Sequence, residues 1–172
     1  MTLNVLLKNV GLFLLLIFLQ VFLLNNISLT KFGININFYV LLILILPFEI
    51  SGWLLLLSAF FLGLSLDMFA DTGGVNAASL VFVAFFRPLI LKILNPRDGY
   101  LPDTKPGIFQ YGFLWFLKYA FILVFIHNLL YWLFLEFSFS NFFLTLYKAL
   151  ISTFLVLILV LLSQFLFGKN TQ

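Results

Sequence analysis

The chain has 172 residues, of which 64% are hydrophobic and only 9% charged, with a formal net charge of +3 and no cysteine. A soluble globular domain is nearer half apolar and a quarter charged, so this composition excludes a water-soluble fold for want of a polar surface. The absence of cysteine excludes disulfides, thiol redox centres and zinc–thiolate sites, and the small net charge gives no footprint for nucleic acid.

The fold class expected is an all-α integral membrane protein. A spanning helix needs about 20 apolar residues. Six of them with short connections account for nearly the whole chain, so the expectation is a six-helix transmembrane bundle and a single domain, 1–172. The spans fall at about 9–25, 35–50, 52–69, 74–94, 111–135 and 141–167.

The first run follows Lys8 and leaves through Asn25-Asn26-Ile27-Ser28 without a small-residue cleavage pattern, so it reads as a retained helix and not a signal peptide. The second contains Pro47 and is followed at once by Glu49. Ser51-Gly52 joins it to the third, which starts at Trp53. The run Ala70-Asp71-Thr72-Gly73-Gly74 is a turn by composition. The fourth span carries Arg87-Pro88. The stretch from Asn95 to Gln110 is the longest polar connection, and its three prolines, Pro96, Pro102 and Pro106, argue against helix there. Glu136-Phe137-Ser138 turns the chain into the last span, which ends at Gly168-Lys169.

Charge sets the expected orientation. With six spans, Lys8, Lys92, Arg97, Lys105, Lys118 and Lys169 collect on one side, while Asp67, Asp71 and Glu136 take the other, with Lys31 as its clearest cation. The positive-inside bias then places both termini in the cytoplasm. Trp53, Tyr100, Tyr111, Trp115 and Trp132 fall near span ends, where amphipathic rings prefer to lie.

The segment from Ala59 to Pro88 is the most informative. Ala59, Gly63 and Asp67 are spaced by four and share one helix face, and Gly74 and Ala78 repeat the spacing on the next helix. Small residues at that interval let helices approach closely, so the third and fourth spans are expected to pack as a tight hairpin. Gly63, Asp67 and Asp71 also spell the back half of the metal-binding signature of the CDP-alcohol phosphotransferases. No aspartate precedes residue 63, so that metal site is incomplete and no metal or other cofactor is expected.

Four further residues are isolated ionisable groups within or beside spans. Arg87 lies about 20 Å beyond Gly74 by helix rise, where an unpaired arginine costs about 2.5 kcal/mol or more. Two outcomes are open for it: snorkelling to the interface, with Pro88 ending or kinking the helix, or an ion pair with Glu49. Lys148 is either an intramembrane functional residue or a cation reaching back toward Glu136. His127, beside Asn128 and four residues from Tyr131, reads as a proton relay or as an interhelical hydrogen-bonding residue. No motif for a nucleophile or a catalytic metal is present, and no enzymatic activity is expected.

The stretch Gly63-Leu64-Ser65-Leu66-Asp67-Met68-Phe69, followed by Gly74-Val75-Asn76-Ala77-Ala78, resembles the central signature of the MreD family of rod-shape-determining proteins. Val83 to Pro88 resembles members of this family as well. The resemblance implies a non-enzymatic scaffold of the bacterial inner membrane, in the elongation machinery for lateral peptidoglycan synthesis. Its implied partners are an MreC-type single-span protein and, through it, MreB, RodA and a penicillin-binding transpeptidase. It also implies a fold similar to the substrate-binding components of energy-coupling-factor vitamin transporters. Such a transporter subunit is the alternative function, although its A-x-x-x-A docking pattern is missing from the first helix, where Leu12 to Gln20 holds no alanine.

Overall fold

The computed structural model describes residues 3–26, 34–96, 99–101, 104–137 and 141–168, without the side chains of residues 3–9. Lys31, Arg97, Asp98, Pro102, Asp103, Ser138, Lys169, Ile27, Ser28 and the side chain of Lys8 lie outside this set. The regular structure among the described residues is helical, with no strand among them: α1 (Leu3–Phe18), α2 (Leu41–Ile45), α3 (Gly52–Ala70), α4 (Val75–Ile93), α5 (Ile108–Tyr111), α6 (Phe113–Glu136) and α7 (Phe142–Phe167).

Four of these, α3, α4, α6 and α7, are long and apolar enough to cross a bilayer. Their bounds fall within two residues of the third to sixth expected spans. Nineteen residues of α-helix, the length of α3 and of α4, rise about 28 Å, close to the hydrocarbon thickness of a bilayer. The outer surface agrees with this solvent. Met68 is 80% exposed and Phe143 85%, while Asp67, Asn76, Arg87, His127, Asn128 and Gln164 are buried. Apolar outside and polar inside reverses the order that water imposes.

The first expected span is helical and the second is not. α1 continues as a π-helical turn, Leu19–Leu24. Gln20 in that turn is buried, donates to Ile36 O and accepts from Phe38 N, so it ties α1 to the next segment. The second is not a continuous helix. Residues 34–37 lack regular structure, Phe38–Val40 is a 3-10 turn, and α2 is only five residues long. Its end has a local cause: the residue before a proline is driven out of the α region, and Leu46 has ψ 146°. Val40 to Leu44 are buried on every side, so α2 sits in the bundle core instead of facing lipid. Of the six expected helices, four are long apolar helices, the first is helical from Leu3 to Leu24, and the second is a broken segment.

Two smaller expectations also change. Pro88 neither ends nor breaks α4, which runs on to Ile93. The proline-rich connection does contain one short helix, α5, after its last proline; Gly112, at φ 87°, separates it from α6.

The main core joins Leu16, α2, Leu55, Leu62 and Leu66 of α3, Leu80 and Val83 of α4, Phe116 and Leu123 of α6, and Val156 and Val160 of α7. At the end of the bundle where α4 stops and α6 begins, Phe48 stacks on Tyr100 at 4.2 Å, and Tyr111 and Trp115 pack against both. Trp115 donates to Leu94 O and Tyr100 to Leu91 O, so the free carbonyls at the end of α4 are capped by side chains. Burial pushes the Tyr100 phenol up to about 12, which keeps it a neutral donor there.

Candidate functional site

The α3–α4 hairpin is closed by one carboxylate. Asp67, on the last turn of α3, accepts hydrogen bonds from Asn76 N at 2.9 Å and Ala77 N at 2.9 Å, two of the free amides that open α4. Thr72 Oγ1 donates to the same carboxylate at 2.5 Å and Asn76 Nδ2 at 3.0 Å. A negative charge at a helix N-terminus is also favoured by the helix dipole. Between them the chain turns through Asp71, Gly73 and Gly74, all at positive φ. Gly74 stands at φ 98°, a conformation that L side chains rarely adopt.

Gly63 shows why α3 needs a small residue. A Cβ at Gly63 would lie 2.6 Å from Ala77 N and 2.8 Å from Asn76 C, and closer still to Ala77 Cα. The obstacle is the α4 backbone itself. Ala59, one turn earlier, is fully buried. The tight hairpin expected from the spacing is therefore present, with one change of partner: Ala77, and not Ala78, meets Gly63, and Gly74 serves the turn and not the helix face. Asp67 and Asp71 do not form a pair of ligands. Asp67 is buried in the clasp, and Asp71 is exposed in the turn.

Three separate sets of neutral hydrogen bonds lie between the clasp and the bundle interior. Tyr39 donates to Asn76 Oδ1 at 2.5 Å. Asn37 Nδ2 donates to Asn128 Oδ1 at 3.0 Å, and Asn128 Nδ2 to Thr153 Oγ1 at 3.2 Å. Asn35 joins Tyr131 through its side chain at 2.5 Å and Ser152 through its amide at 3.2 Å. Backbone groups of this segment are taken by side chains instead of by a helix: Asn35 N by Ser152 of α7, and Ile36 O and Phe38 N by Gln20. Tyr39→Phe is expected to cost about 1 kcal/mol, the net worth of one buried hydrogen bond, measured as a shift in detergent-solubilised unfolding, with no change in the α3–α4 contact.

His127 lies among these bonds without joining them. It is fully buried, with Tyr39 edge-on at 5.2 Å and Tyr131 at 6.4 Å, and neither ring nitrogen has a hydrogen-bond partner among the described residues. The interhelical hydrogen bonds expected of His127 are made by its neighbour Asn128.

Lys148 reaches back to Glu136 at 2.6 Å, with Thr145 donating to the same carboxylate and the ammonium 5.0 Å from the centre of the Trp132 ring. Arg87 takes neither of its two open outcomes: it does not pair with Glu49, and it is buried instead of snorkelling to the interface. Its guanidinium is buried and donates to Tyr119 Oη at 2.9 Å, to Leu46 O, and to Pro47 O at 3.5 Å. Leu46 O is available because α2 ends at Ile45 and proline follows, while Pro47 O also accepts from Ile50 N at 3.4 Å; the cation sits at the carbonyl end of α2. Tyr119 in turn donates to Leu44 O.

Among the described residues no group of three metal-ligating side chains comes together. The chemistry assembled here is hydrogen bonding by amides and hydroxyls, around one carboxylate already engaged by the backbone. Tyr39, Asn37, Asn35, Ser152 and Thr153 escaped the sequence reading, and Asn76 and Asn128 entered it only as neighbours of other residues. Their one available signal was polar residues placed inside apolar runs. Comparison with protein-family models, with curated proteins and with solved structures gives no match for the chain.

Proposed function

We propose that the chain is a non-enzymatic membrane scaffold of the bacterial cell-elongation complex, docking an MreC-type single-span protein and acting through it on MreB, RodA and a penicillin-binding transpeptidase. The observation that carries this reading is the clasped hairpin: the residues of the MreD-like signature, Gly63, Asp67 and Gly74, all work to hold α3 against α4. A helix fixed on its inner face presents a rigid outer one. On α3 that outer face carries Trp53, Phe60, Phe61 and Met68, all exposed. Between lipid-facing helices, association comes from close packing and costs little desolvation. The proposed site is the bacterial inner membrane with both termini cytoplasmic, on the positive-inside argument.

The test is photo-crosslinking in rod-shaped cells. A photoreactive residue at Phe61 or Met68 is expected to capture the MreC-type protein, and one at Phe154 on α7 is not. Capture from Phe154 alone would move the docking face off α3. Capture from none of the three, together with normal cell width after depletion, would reject the scaffold reading.

A second reading is favoured by His127. A substrate-binding subunit of an energy-coupling-factor transporter needs a polar recess within the bundle, and a buried imidazole without partners among the described residues suits one. Stabilisation of the purified protein by a vitamin at nanomolar concentration, lost in His127→Leu, would support that reading against the scaffold.

A further inference from the structure

A cleft of about 460 Å³ opens between the 48–52 joint, the last two turns of α4, Asn95 and Tyr100. Arg87 and Lys92 line it, with Asn95 and the apolar walls of Leu55 and Leu91. Its volume is within the usual range for small-molecule sites. Glu49, although it stands between two lining residues, is not part of the lining.

The charge in this cleft is uncompensated by any contact that Arg87 makes. Arg87 is 1% exposed, and its partners are two backbone carbonyls and a phenol, all neutral. Neutral oxygens satisfy donors and lower the cost of burial, but they leave a full positive charge in a low-dielectric setting, where charges are ordinarily paired. One amino group is barely engaged: the single oxygen near Nη1 is Pro47 O, at 3.5 Å. Lys92 adds a second cation on the same cleft and is exposed. Arg87 lies about 9 Å before the end of α4 by helix rise, which is the depth of the bilayer interface and not of its centre. Beside the cleft, Leu89 and Ile93 face outward, so an apolar surface continues from it toward lipid.

We propose that this cleft binds the phosphate of an anionic membrane phospholipid. Lys92 Nζ and Asn95 supply the contacts, the buried Arg87 guanidinium adds positive charge beneath the cleft, and the acyl chains run along the apolar walls. Basic pockets between membrane helices near the interface are suited to such headgroups. The assignment is independent of the scaffold reading, because it needs only the cleft and the membrane.

The intact protein in a neutral detergent is titrated with phosphatidylglycerol, with phosphatidylcholine and with inorganic phosphate while its thermal unfolding is followed. Native mass spectrometry counts the lipid retained. Phosphatidylglycerol is expected to raise the unfolding midpoint saturably and to be retained, and the other two are not. Lys92→Gln, an exposed change that leaves the fold alone, is expected to weaken the effect about fivefold, the share of one basic residue at an anionic headgroup, and Lys92→Arg to restore it. Equal protection by phosphatidylcholine, or an undiminished effect in Lys92→Gln, would overturn the site. Full protection by inorganic phosphate alone would overturn the lipid as its occupant.

Discussion

Asp67→Ala is expected to lower the stability of the protein by about 3 kcal/mol, the sum of a lost helix cap and of buried donors left without an acceptor. The carboxylate is the common acceptor for Asn76 N, Ala77 N, Thr72 Oγ1 and Asn76 Nδ2. Two of these are backbone amides that have no other helical partner, since they belong to the first turn of α4. Asp67 is only 5% exposed, so water has little access to replace the lost acceptor. Asp67→Asn is expected to recover only part of the loss, because its NH2 group would face one of the same amides. Reversible unfolding in mixed micelles measures both. A loss below about 0.5 kcal/mol for the alanine variant, the level of an ordinary surface change, would mean that the hairpin does not depend on the clasp.

Gly63→Ala should separate α3 from α4 and destabilise by about 2 kcal/mol, within the usual range for overpacking. Gly63→Leu should prevent the native bundle from forming. The atoms in the way are Ala77 N, Ala77 Cα and Asn76 C, so no rotamer change relieves the clash. That leads to a sharper expectation: Ala77→Gly does not rescue Gly63→Ala, because the obstruction is main chain and not the Ala77 methyl group. A full rescue would show that side-chain crowding, and not backbone contact, sets the helix separation. The readout is unfolding stability together with cross-linking between cysteines placed on α3 and α4, which is straightforward in a chain with no cysteine of its own.

The four long helices were legible because length and hydropathy alone define a span. Their ends, at Ala70, Ile93, Glu136 and Phe167, coincide with changes in composition that a reader can see. The segment 35–50 was misread for an equally physical reason. Its apolar run is as dense as that of a spanning helix, but Asn35 and Asn37 bind residues over 90 positions away and Pro47 stops the chain after five α-helical residues. Long-range side-chain bonds leave no trace in local periodicity. Arg87 shows the same limit. Its depth and isolation were apparent from the sequence, which left open a carboxylate partner or an escape to the interface. Its actual partners are carbonyls exposed by the break after α2 and a tyrosine 32 residues away. Gly63 and Asp67 were found because their i, i+4 spacing records a helix face directly. The reading of Ala78 in place of Ala77 came from extending that spacing back to Gly74, which lies in the turn.

The most direct test of the membrane-spanning hairpin is sidedness of labelling. Single cysteines at Gly73, in the turn before α4, and at Thr104, beyond its far end, are treated in intact cells with a thiol reagent that does not cross the membrane. The account predicts modification at position 73 in intact cells, and at position 104 only after the membrane is opened. Labelling of both positions from the same side would contradict it, because α4 would then not cross the bilayer.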